Sequence, residues 1–184
     1  EDYYVFSLTD ITKLKEKSNL FEYQASHDKL TGLFNRNKFD EVYSKELKRS
    51  KRYNNELSMI IFDIDDFKMV NDNYGHQIGD DVLKEFSYIL SQNIRNVDTL
   101  GRWGGEEFLV VCPETLKDGA KDLAIKLNKA IKLHKFSTYP HSVTISVGVA
   151  SCSVNDLNYD DIISNADKAL YEAKNNGRDR VEIF

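Results

Sequence analysis

The sequence predicts an α+β domain in which helices flank a central, mostly antiparallel sheet, with a linker helix in front of it. Runs typical of strands occupy 57–63 and 142–150, and a strand–turn–strand pattern occupies 102–112. Segments with apolar residues at helical spacing lie between these runs. The predicted order is strand, helix, helix, hairpin, helix, strand, helix, strand, which is typical of helices that cover one sheet.

Composition restricts the class of protein. A chain of 184 residues, 41% hydrophobic and 30% charged, has the length and composition of one globular domain with an extension. The net charge of −5 argues against nucleic-acid binding, which needs a basic surface. No apolar run approaches the roughly 20 residues that span a bilayer. We therefore expect a cytoplasmic segment, with a membrane anchor upstream left open, and buried free thiols at Cys112 and Cys152.

The N-terminal segment is predicted to be separate from this domain. Residues 3–8 are aromatic and β-branched and resemble the last strand of a PAS-type sensor. An a/d pattern follows over about two heptads, formed by Ile11, Leu14, Ser18, Phe21 and Ala25. It indicates either a dimer stalk or a helix docked on its own domain. We assign 1–25 to the sensor end and linker, and 26–184 to the main domain.

The remaining elements follow from apolar spacing and stop signals. Helices are predicted at 37–54, at 67–74 ending near Gly75, at 81–93 opened by Asp80, at 117–135, and at 159–175 stopped by Gly177. A last short strand is predicted at 181–184. The predicted helices therefore separate the strands. Carboxylates are concentrated at two of the predicted strand ends.

The first of these is the end of the 57–63 strand, where a buried apolar run terminates in aspartates. The second is the hairpin, where Gly104 and Gly105 are expected to supply the positive φ angles of a two-residue turn. Glu106 and Glu107 should then point to opposite faces and have different roles. If the hairpin lies beside the strand, Asp63 and Glu106 converge on a hard cation such as Mg²⁺. The alternatives are a solvated hairpin tip and, for Asp65 or Asp66, a helix cap.

Separated motifs in one order resemble the GGDEF family of diguanylate cyclases, in its GGEEF variant, over residues 26–184. The matching residues are Asp28, Leu30, Thr31, Gly32, Leu33, Asn35, Arg36, 63–68, Asn71, Asp72, Gly75, His76, Gly79, Asp80, 104–108, Lys174 and Arg178. The resemblance implies the ferredoxin-like palm of nucleotide cyclases and polymerases. It also implies a homodimer that condenses two GTP into cyclic di-GMP and two pyrophosphates.

The resemblance implies a metal-dependent site with two Mg²⁺ (or Mn²⁺) ions. Its metal ligands are Asp63, the carbonyl of Ile64, Glu106 and Glu107, and its catalytic side chains are Asp63, Glu106 and Glu107. Glu107 either completes the second metal shell or helps to take the proton. The two-metal arrangement stabilises charge on the phosphate and acidifies the attacking hydroxyl.

Cations are expected to hold the triphosphate, because the chain has no Walker-type glycine-rich lysine loop. Lys174 and Arg178 lie four apart, so one helix face should present both to the phosphates. The alternative is a solvated cationic last turn that complements the helix dipole. Lys68 and Arg102 are further candidates for phosphate binding.

The resemblance also assigns base recognition and feedback. Asn71 and Asp80 match the guanine readers, and a carboxylate that accepts from guanine would be left unpaired by adenine. Taken alone, an aspartate such as Asp80 is more often a helix cap, and one residue can fill both roles. Arg95 and Asp98 lie where the family carries its product-inhibition motif, and an arginine suits the guanine edge and phosphate. The competing functions are a catalytically silent cyclic di-GMP receptor and a GTP-binding regulator of a partner phosphodiesterase.

Overall fold

The computed structural model describes residues 12–152 and 161–184. The predicted strand at 3–8 lies outside the described residues. The elements are α1 (Thr12–Ser26), α2 (Arg36–Tyr53), β1 (Leu57–Ile64), α3 (Phe67–Tyr74), α4 (His76–Asn93), β2 (Thr99–Gly104), β3 (Glu107–Pro113), α5 (Lys117–Leu133), β4 (Ile145–Cys152), α6 (Ile162–Asn175) and β5 (Arg180–Ile183).

The five strands form one sheet in the order β2-β3-β1-β4-β5. All neighbouring pairs are antiparallel except β4 and β5, which are parallel. β1 is central and every one of its residues is buried, as expected for an apolar run enclosed on both faces. The predicted α+β class with a mostly antiparallel sheet is therefore confirmed.

Alternate residues of β1 enter two different cores. Ile60, Phe62 and Ile64 pack with α3, α4 and α5, on what we call the α4 face of the sheet. Met59 and Ile61 pack with α2 and α6, on what we call the α6 face. Side chains on a strand alternate in direction, so Asp63 belongs to the α6 face. The last carboxylate of β1 therefore points towards α6.

A glycine lets α6 approach the sheet closely. A Cβ at Gly148 of β4 would lie 2.1 Å from the carbonyl oxygen of Ala166 and 2.4 Å from the backbone nitrogen of Leu170. No side chain fits in that space, so the backbones of β4 and α6 are in direct contact. This contact fixes the distance between α6 and the sheet. It therefore also fixes how far Lys174, in the last turn of α6, lies from the sheet.

Several predicted boundaries differ from the observed ones. α4 begins at His76 instead of 81, because Gly75 turns the chain at φ 84° and the next helix starts at once. β4 begins at Ile145, so 142–144 precede the strand. The predicted start of the last helix at 159 lies outside the described residues. Cys112 and Cys152 are buried free thiols, as predicted.

The helix α1 precedes the sheet domain and ends at Ser26. It makes no extensive packing contact with another described helix or strand, which disfavours the docked alternative. Leu20, Phe21 and Tyr23 are more than half exposed. The predicted seam is described only at the side chains of Phe21 and Ala25, and both are exposed.

No described helix is both long enough and apolar enough to cross a membrane.

One asparagine connects this helix to the domain. Asn35 caps α2 by accepting from the Lys38 N–H at 3.0 Å. Its Nδ2 donates to the carbonyl oxygen of Ala25 at 2.8 Å, and its N–H donates to that of Ser26 at 3.0 Å. The end of α1 is therefore bonded to the start of α2.

Candidate active site

Asp63 is the centre of the candidate site. It is 8% exposed and lies between Glu107 of β3 and Ser146 of β4, its register partners on the two neighbouring strands. Directly opposed residues share one face of a sheet, so the carboxylates of Asp63 and Glu107 both lie on the α6 face. The Lys174 Nζ of α6 lies 2.8 Å from Asp63 Oδ2. Two carboxylates and an ammonium group therefore meet at the end of β1.

The electrostatics of this group are unbalanced. Burial raises the pKa of Asp63, and the hydrogen bond and charge of Lys174 oppose the rise without cancelling it. The negative charges of Glu106 and Glu107 raise the pKa of Asp63 further. The negative charges of Glu106 and Glu107 thus act on Asp63, and Lys174 supplies one positive charge against them. A bound cation would reduce this repulsion between carboxylates.

The hairpin turn is built differently from the prediction. Its two turn residues are Gly105 and Glu106, and Gly105 alone has a positive φ, at 45°. The expectation that both glycines supply positive φ is therefore wrong. The pairing shifts between Arg102 and Gly104, so Trp103 is an extra residue that forms a bulge. This bulge changes which residues occupy the tip.

The two glutamates have different backbone positions. Glu107 begins β3 directly opposite Asp63, whereas Glu106 lies in the turn. The carbonyl oxygen of Glu106 accepts from the Ile64 N–H at 3.4 Å, which holds the turn against the end of β1. The cross-strand partner of Asp63 is therefore Glu107, and Glu106 approaches from the turn beside it.

The side chain of Arg102 stabilises this turn by hydrogen bonds to its backbone. Its Nε and Nη2 donate to the carbonyl oxygen of Gly105 at 3.0 and 2.8 Å, and its Nη1 donates to Asp28 Oδ1 at 3.0 Å. Burial alone would raise the pKa of Asp28, but hydrogen bonds from Thr31 and Arg102 outweigh it and lower that pKa. The side chain of Arg102 is only 14% exposed and has these protein acceptors, while its predicted contact with phosphate stays a prediction.

Arg178 does not share a helix face with Lys174, and this prediction is wrong. α6 ends at Asn175, and Arg178 follows in a turn at φ 61°. Its N–H donates to the carbonyl oxygen of Ala173 at 3.0 Å, and its Nε lies 3.6 Å from Asp66 Oδ1. The two cations nevertheless reach neighbouring aspartates at the end of β1, Asp63 and Asp66.

Neither Asp65 nor Asp66 caps α3 through its side chain. Asp66 occupies the N-cap position at φ 53° but makes no capping hydrogen bond. The carboxylate of Asp65 accepts from Thr144, Ser146 and the backbone of Asp179. The cap interpretation of these residues is therefore wrong, since one carboxylate faces Arg178 and the other is bonded to β4 and the turn before β5.

Asn71 and Asp80 lie on adjacent helices that touch at a glycine. A Cβ at Gly79 of α4 would lie 2.0 Å from Asn71 Oδ1, so only glycine allows the Asn71 amide to lie there. Asp80 is the fifth residue of α4 and not its cap, which corrects the cap alternative. Lys68 precedes Asn71 by one turn of α3, is exposed, and forms no ion pair with a described residue. The predicted phosphate-binding Lys68 and base-binding Asn71 therefore lie on α3, and Asp80 lies on the adjacent α4.

Arg95 and Asp98 bind each other. The Arg95 Nε lies 3.1 Å from Asp98 Oδ2, its Nη2 lies 2.7 Å from Asp98 Oδ1, and its N–H donates to Oδ2 at 2.9 Å. The hydrogen bonds that Arg95 donates to the Asp98 carboxylate are the largest cause that raises the pKa of Arg95. The side chain of Asp98 is 0% exposed, whereas that of Arg95 is 53% exposed. Asp98 therefore orients Arg95 in this structure, and its predicted contact with the product stays a prediction.

The donor set at the end of β1 fits a hard divalent cation. The described residues contain no ready-made group of three or more histidine, cysteine or acidic side chains around a metal position. The oxygen donors available are those of Asp63, Glu106 and Glu107 and the carbonyl of Ile64. Burial and the charges of Glu106 and Glu107 raise the pKa of Asp63, although Lys174 lowers it. Mg²⁺ suits such a site, since it keeps waters and substrate phosphates in its shell.

Sequence reasoning missed the contacts that connect distant segments. The bond between Arg102 and Asp28 spans 74 residues, and that between Asp65 and Ser146 spans 81. The motif that contains Asp28 and Thr31 does not indicate which residues they bond to. The glycines offered the strongest available signal, because Gly79 and Gly148 each mark a close approach of another element.

Comparison with known proteins gives relatives along most of the chain. The family model described as "Diguanylate cyclase, GGDEF domain" matches residues 25–180. Diguanylate cyclase DgcM of Escherichia coli (strain K12) is 37% identical over 172 residues, which cover 94% of this chain and 42% of that protein. Probable diguanylate cyclase DgcC of the same organism is 32% identical over 173 residues, which cover 94% and 47%. The chain spans about half the length of the curated relatives it matches.

Solved structures agree in fold. The coiled coil and GGDEF domain of DgcB from Caulobacter crescentus, in complex with c-di-GMP, has a TM-score of 0.87 at 26% identity, with 95% of this chain and 94% of that chain covered. The active GGEEF domain of a diguanylate cyclase from Vibrio cholerae has a TM-score of 0.77 at 36% identity, with 82% and 96% covered. The glycine hairpin beside an acidic strand end, the five-stranded sheet and these matches lead to one conclusion: the chain belongs to the GGDEF domain family of diguanylate cyclases.

Proposed function

We propose that residues 26–184 are the catalytic domain of a diguanylate cyclase that condenses two GTP into cyclic di-GMP with release of two pyrophosphates. The observation that carries this proposal is the meeting of Asp63, Glu107 and Lys174 beside the glycine hairpin. Family membership supports it. We assign residues 1–25 to the linker helix and the end of an upstream sensor.

The reaction forms two phosphodiester bonds. The 3′-hydroxyl of each GTP attacks the α-phosphorus of the other, the bond to pyrophosphate breaks, and the hydroxyl proton leaves. Asp63, Glu106 and the carbonyl of Ile64 would hold divalent metal, with Glu107 completing its shell or taking the proton. Two Mg²⁺ or Mn²⁺ ions bound there would stabilise phosphate charge and acidify the hydroxyl.

Lys174 has one ion-pair partner in this structure and a different one in the proposed substrate complex. In this structure its ammonium nitrogen lies 2.8 Å from Asp63 Oδ2, and the two groups form an ion pair. We infer that it changes partner when substrate binds, from the Asp63 carboxylate to a phosphate oxygen. Arg178 and Lys68 supply the other phosphate contacts, because both are exposed near the end of β1 and the start of α3.

Guanine recognition belongs to Asn71 and Asp80. The close contact between Asn71 and Gly79 brings the amide beside the helical turn that carries Asp80. A carboxylate there accepts from guanine N1–H and N2–H₂, and adenine would leave it unpaired. We therefore propose GTP and not ATP as the substrate.

A homodimer follows from the chemistry, because each domain holds one GTP and the product needs two. The exposed apolar residues of α1 support a parallel contact between two stalks. The similar DgcB structure contains a coiled coil together with its GGDEF domain. A signal received upstream would then act by changing how often the two sites face each other.

Product inhibition is proposed through Arg95, held by Asp98. The exposed part of the guanidinium is available for the guanine edge or a phosphate of cyclic di-GMP. The structure of DgcB in complex with c-di-GMP supports product binding in the family. Asp98 keeps the fork of Arg95 in one orientation.

One assay tests the function and separates it from the alternatives. The purified chain is incubated with Mg²⁺ and GTP, and the products are identified by mass. Cyclic di-GMP and pyrophosphate support the cyclase. Binding of cyclic di-GMP without turnover would favour the silent receptor, and binding of GTP without turnover would favour the regulator of a partner phosphodiesterase.

A further inference from the structure

Asp65 joins three segments that are distant in sequence. Its carboxylate accepts from Thr144 Oγ1 at 2.8 Å, from Ser146 Oγ at 2.6 Å and from the backbone N–H of Asp179 at 3.1 Å. Its own N–H donates to the carbonyl oxygen of Thr144 at 3.0 Å. The residue therefore connects the end of β1, the start of β4 and the turn between α6 and β5.

That turn has an unusual backbone. Gly177, Arg178 and Asp179 are consecutive and have φ angles of 107°, 61° and 47°. Two of them are not glycine, and such conformations persist only where surrounding contacts hold them. The contacts here are the bond from the Arg178 N–H to Ala173, an ion pair between Lys132 and the Asp179 side chain, and the bond from the Asp179 N–H to Asp65.

Of these contacts, the bond to Asp65 connects the turn to the acidic end of β1. Arg178 lies directly before the bonded N–H, and its Nε lies 3.6 Å from Asp66, the residue after Asp65. Asp63 and Ile64 lie directly before Asp65. The bond from the Asp179 N–H to the Asp65 carboxylate thus fixes the backbone position of Arg178 relative to the Asp63–Lys174 pair.

We propose that Asp65 is a positioning residue that places Arg178 for binding a substrate phosphate, by fixing the turn after α6 to the end of β1. Asp65 acts only through Arg178 and does not touch the nucleotide, since its two oxygens are occupied by three protein donors. This role depends on the phosphate contact proposed above for Arg178.

The type of side chain required can be derived from the bonds. Asp65 Oδ2 accepts from both Thr144 and Asp179, and Oδ1 accepts from Ser146. Asparagine can place its oxygen at the Oδ2 position and donate from its nitrogen to the Ser146 hydroxyl, which can rotate. Asp65→Asn should therefore keep the turn in place, whereas Asp65→Ala should release it.

The test measures binding of 3′-deoxy-GTP, which lacks the attacking hydroxyl, to the full chain with Mg²⁺ by calorimetry. We expect Asp65→Ala to weaken binding about tenfold, as the loss of one contact to a charged group does. Arg178→Ala should weaken it similarly, and the double variant no more than Arg178→Ala alone. Asp65→Asn should bind within about threefold of the parent.

Hydrogen exchange of residues 177–180 reports on the turn without nucleotide. We expect Asp65→Ala to accelerate exchange there and to leave α4 peptides unchanged. Ser151→Ala is the matched control, because it removes another side-chain bond between β1 and β4, to Ser58 at 2.7 Å. Ser151→Ala should change neither the binding of 3′-deoxy-GTP nor the hydrogen exchange of residues 177–180.

The outcomes distinguish this role from the proposed function. If Arg178→Ala leaves 3′-deoxy-GTP binding intact, the phosphate contact itself is wrong, and the positioning role is wrong with it. If Arg178→Ala weakens binding while Asp65→Ala does not, or if their effects add, the positioning role alone is overturned. Unchanged exchange at 177–180 in Asp65→Ala would also overturn it.

Discussion

Two aspartates pair with basic side chains at different places along the sheet, and they do so in opposite ways. Asp98 is fully buried and accepts from the fork and the backbone N–H of Arg95. Asp63 is also buried, but Lys174 supplies a single ammonium contact and two glutamates lie close by. The first carboxylate is well compensated, while burial and neighbouring charge raise the pKa of the second.

The difference separates a structural pair from a functional one. A carboxylate with matched donors stabilises the charged form and fixes the geometry of its partner. A carboxylate whose pKa is raised by burial and like charge costs stability, and such groups are common where a protein must bind or react. We therefore expect substitutions around Asp63 to remove activity and those at Asp98 to remove stability.

The largest expected effect is at the hairpin tip. Glu106→Gln should fold normally and lower the turnover of GTP by about 10³-fold or more, since a metal ligand supplies several kcal/mol of charge stabilisation. The measurement is cyclic di-GMP formation with Mg²⁺, with thermal unfolding as the test of folding. Glu172→Gln, at an exposed position on α6, is the control and should keep parental turnover. Substantial turnover by Glu106→Gln would remove this residue from the mechanism.

The second prediction compares the two aspartates directly. Asp98→Asn should lower the free energy of unfolding by about 1–3 kcal/mol, because the bonds of a charged, buried group are disrupted. Asp63→Asn should not lower it, because the charged form of Asp63 is disfavoured by its surroundings. Urea denaturation at neutral pH measures both. Equal destabilisation by the two variants would contradict the distinction drawn between the pairs.

The third prediction concerns feedback. Arg95→Ala should raise the concentration of cyclic di-GMP needed for half-inhibition by about tenfold or more, through loss of contacts to a charged group. Initial rates at increasing product concentration give this value. Lys121→Ala, which removes an exposed cation of α5, should leave it unchanged. A parental inhibition curve for Arg95→Ala would exclude Arg95 as the product site.

The smallest effect is a pH dependence of stability. The pKa of Asp63 is raised above its ordinary value of 3.8, so the folded state holds this proton more tightly than the unfolded state. The stability that Asp63 contributes is thus fully present below 3.8 and is lost as pH rises through its raised folded pKa. The unfolding free energy of the parent, minus that of Asp63→Asn, should fall as pH increases through this window. A difference that rises with pH would show that the shift has the opposite sign.

The sequence predicted well those features that depend on local pattern. The buried run from Leu57 and the alternation before Cys152 were enough for a central strand and its neighbour. The carboxylates at the end of that strand and at the hairpin tip were also visible, as was Gly75 as a helix end. These features follow from burial and backbone geometry over a few residues, so they need no knowledge of the partner.

Predictions failed where a residue's role depends on a distant segment. No local pattern indicates that Arg102 bonds to Asp28, which lies 74 residues away in the sequence. Arg178 was placed on a helix with Lys174, but α6 ends first and Asp65 anchors the turn that follows. The predicted start of α4 at 81 is late, because the chain turns at Gly75 and the next helix begins at once at His76.

By itself the amino-acid sequence determined the class of fold, the family motifs and the pair of acidic strand ends, because alternation, helical spacing and glycine turns act over short stretches of chain. Only the tertiary structure decided that Glu107 stands opposite Asp63, that Asp98 is occupied by Arg95, and that Asp65 holds the turn of Arg178. Each of these depends on strand register or on a hydrogen bond between segments far apart in sequence, and a shift of one residue in register would turn the side chains to the opposite face.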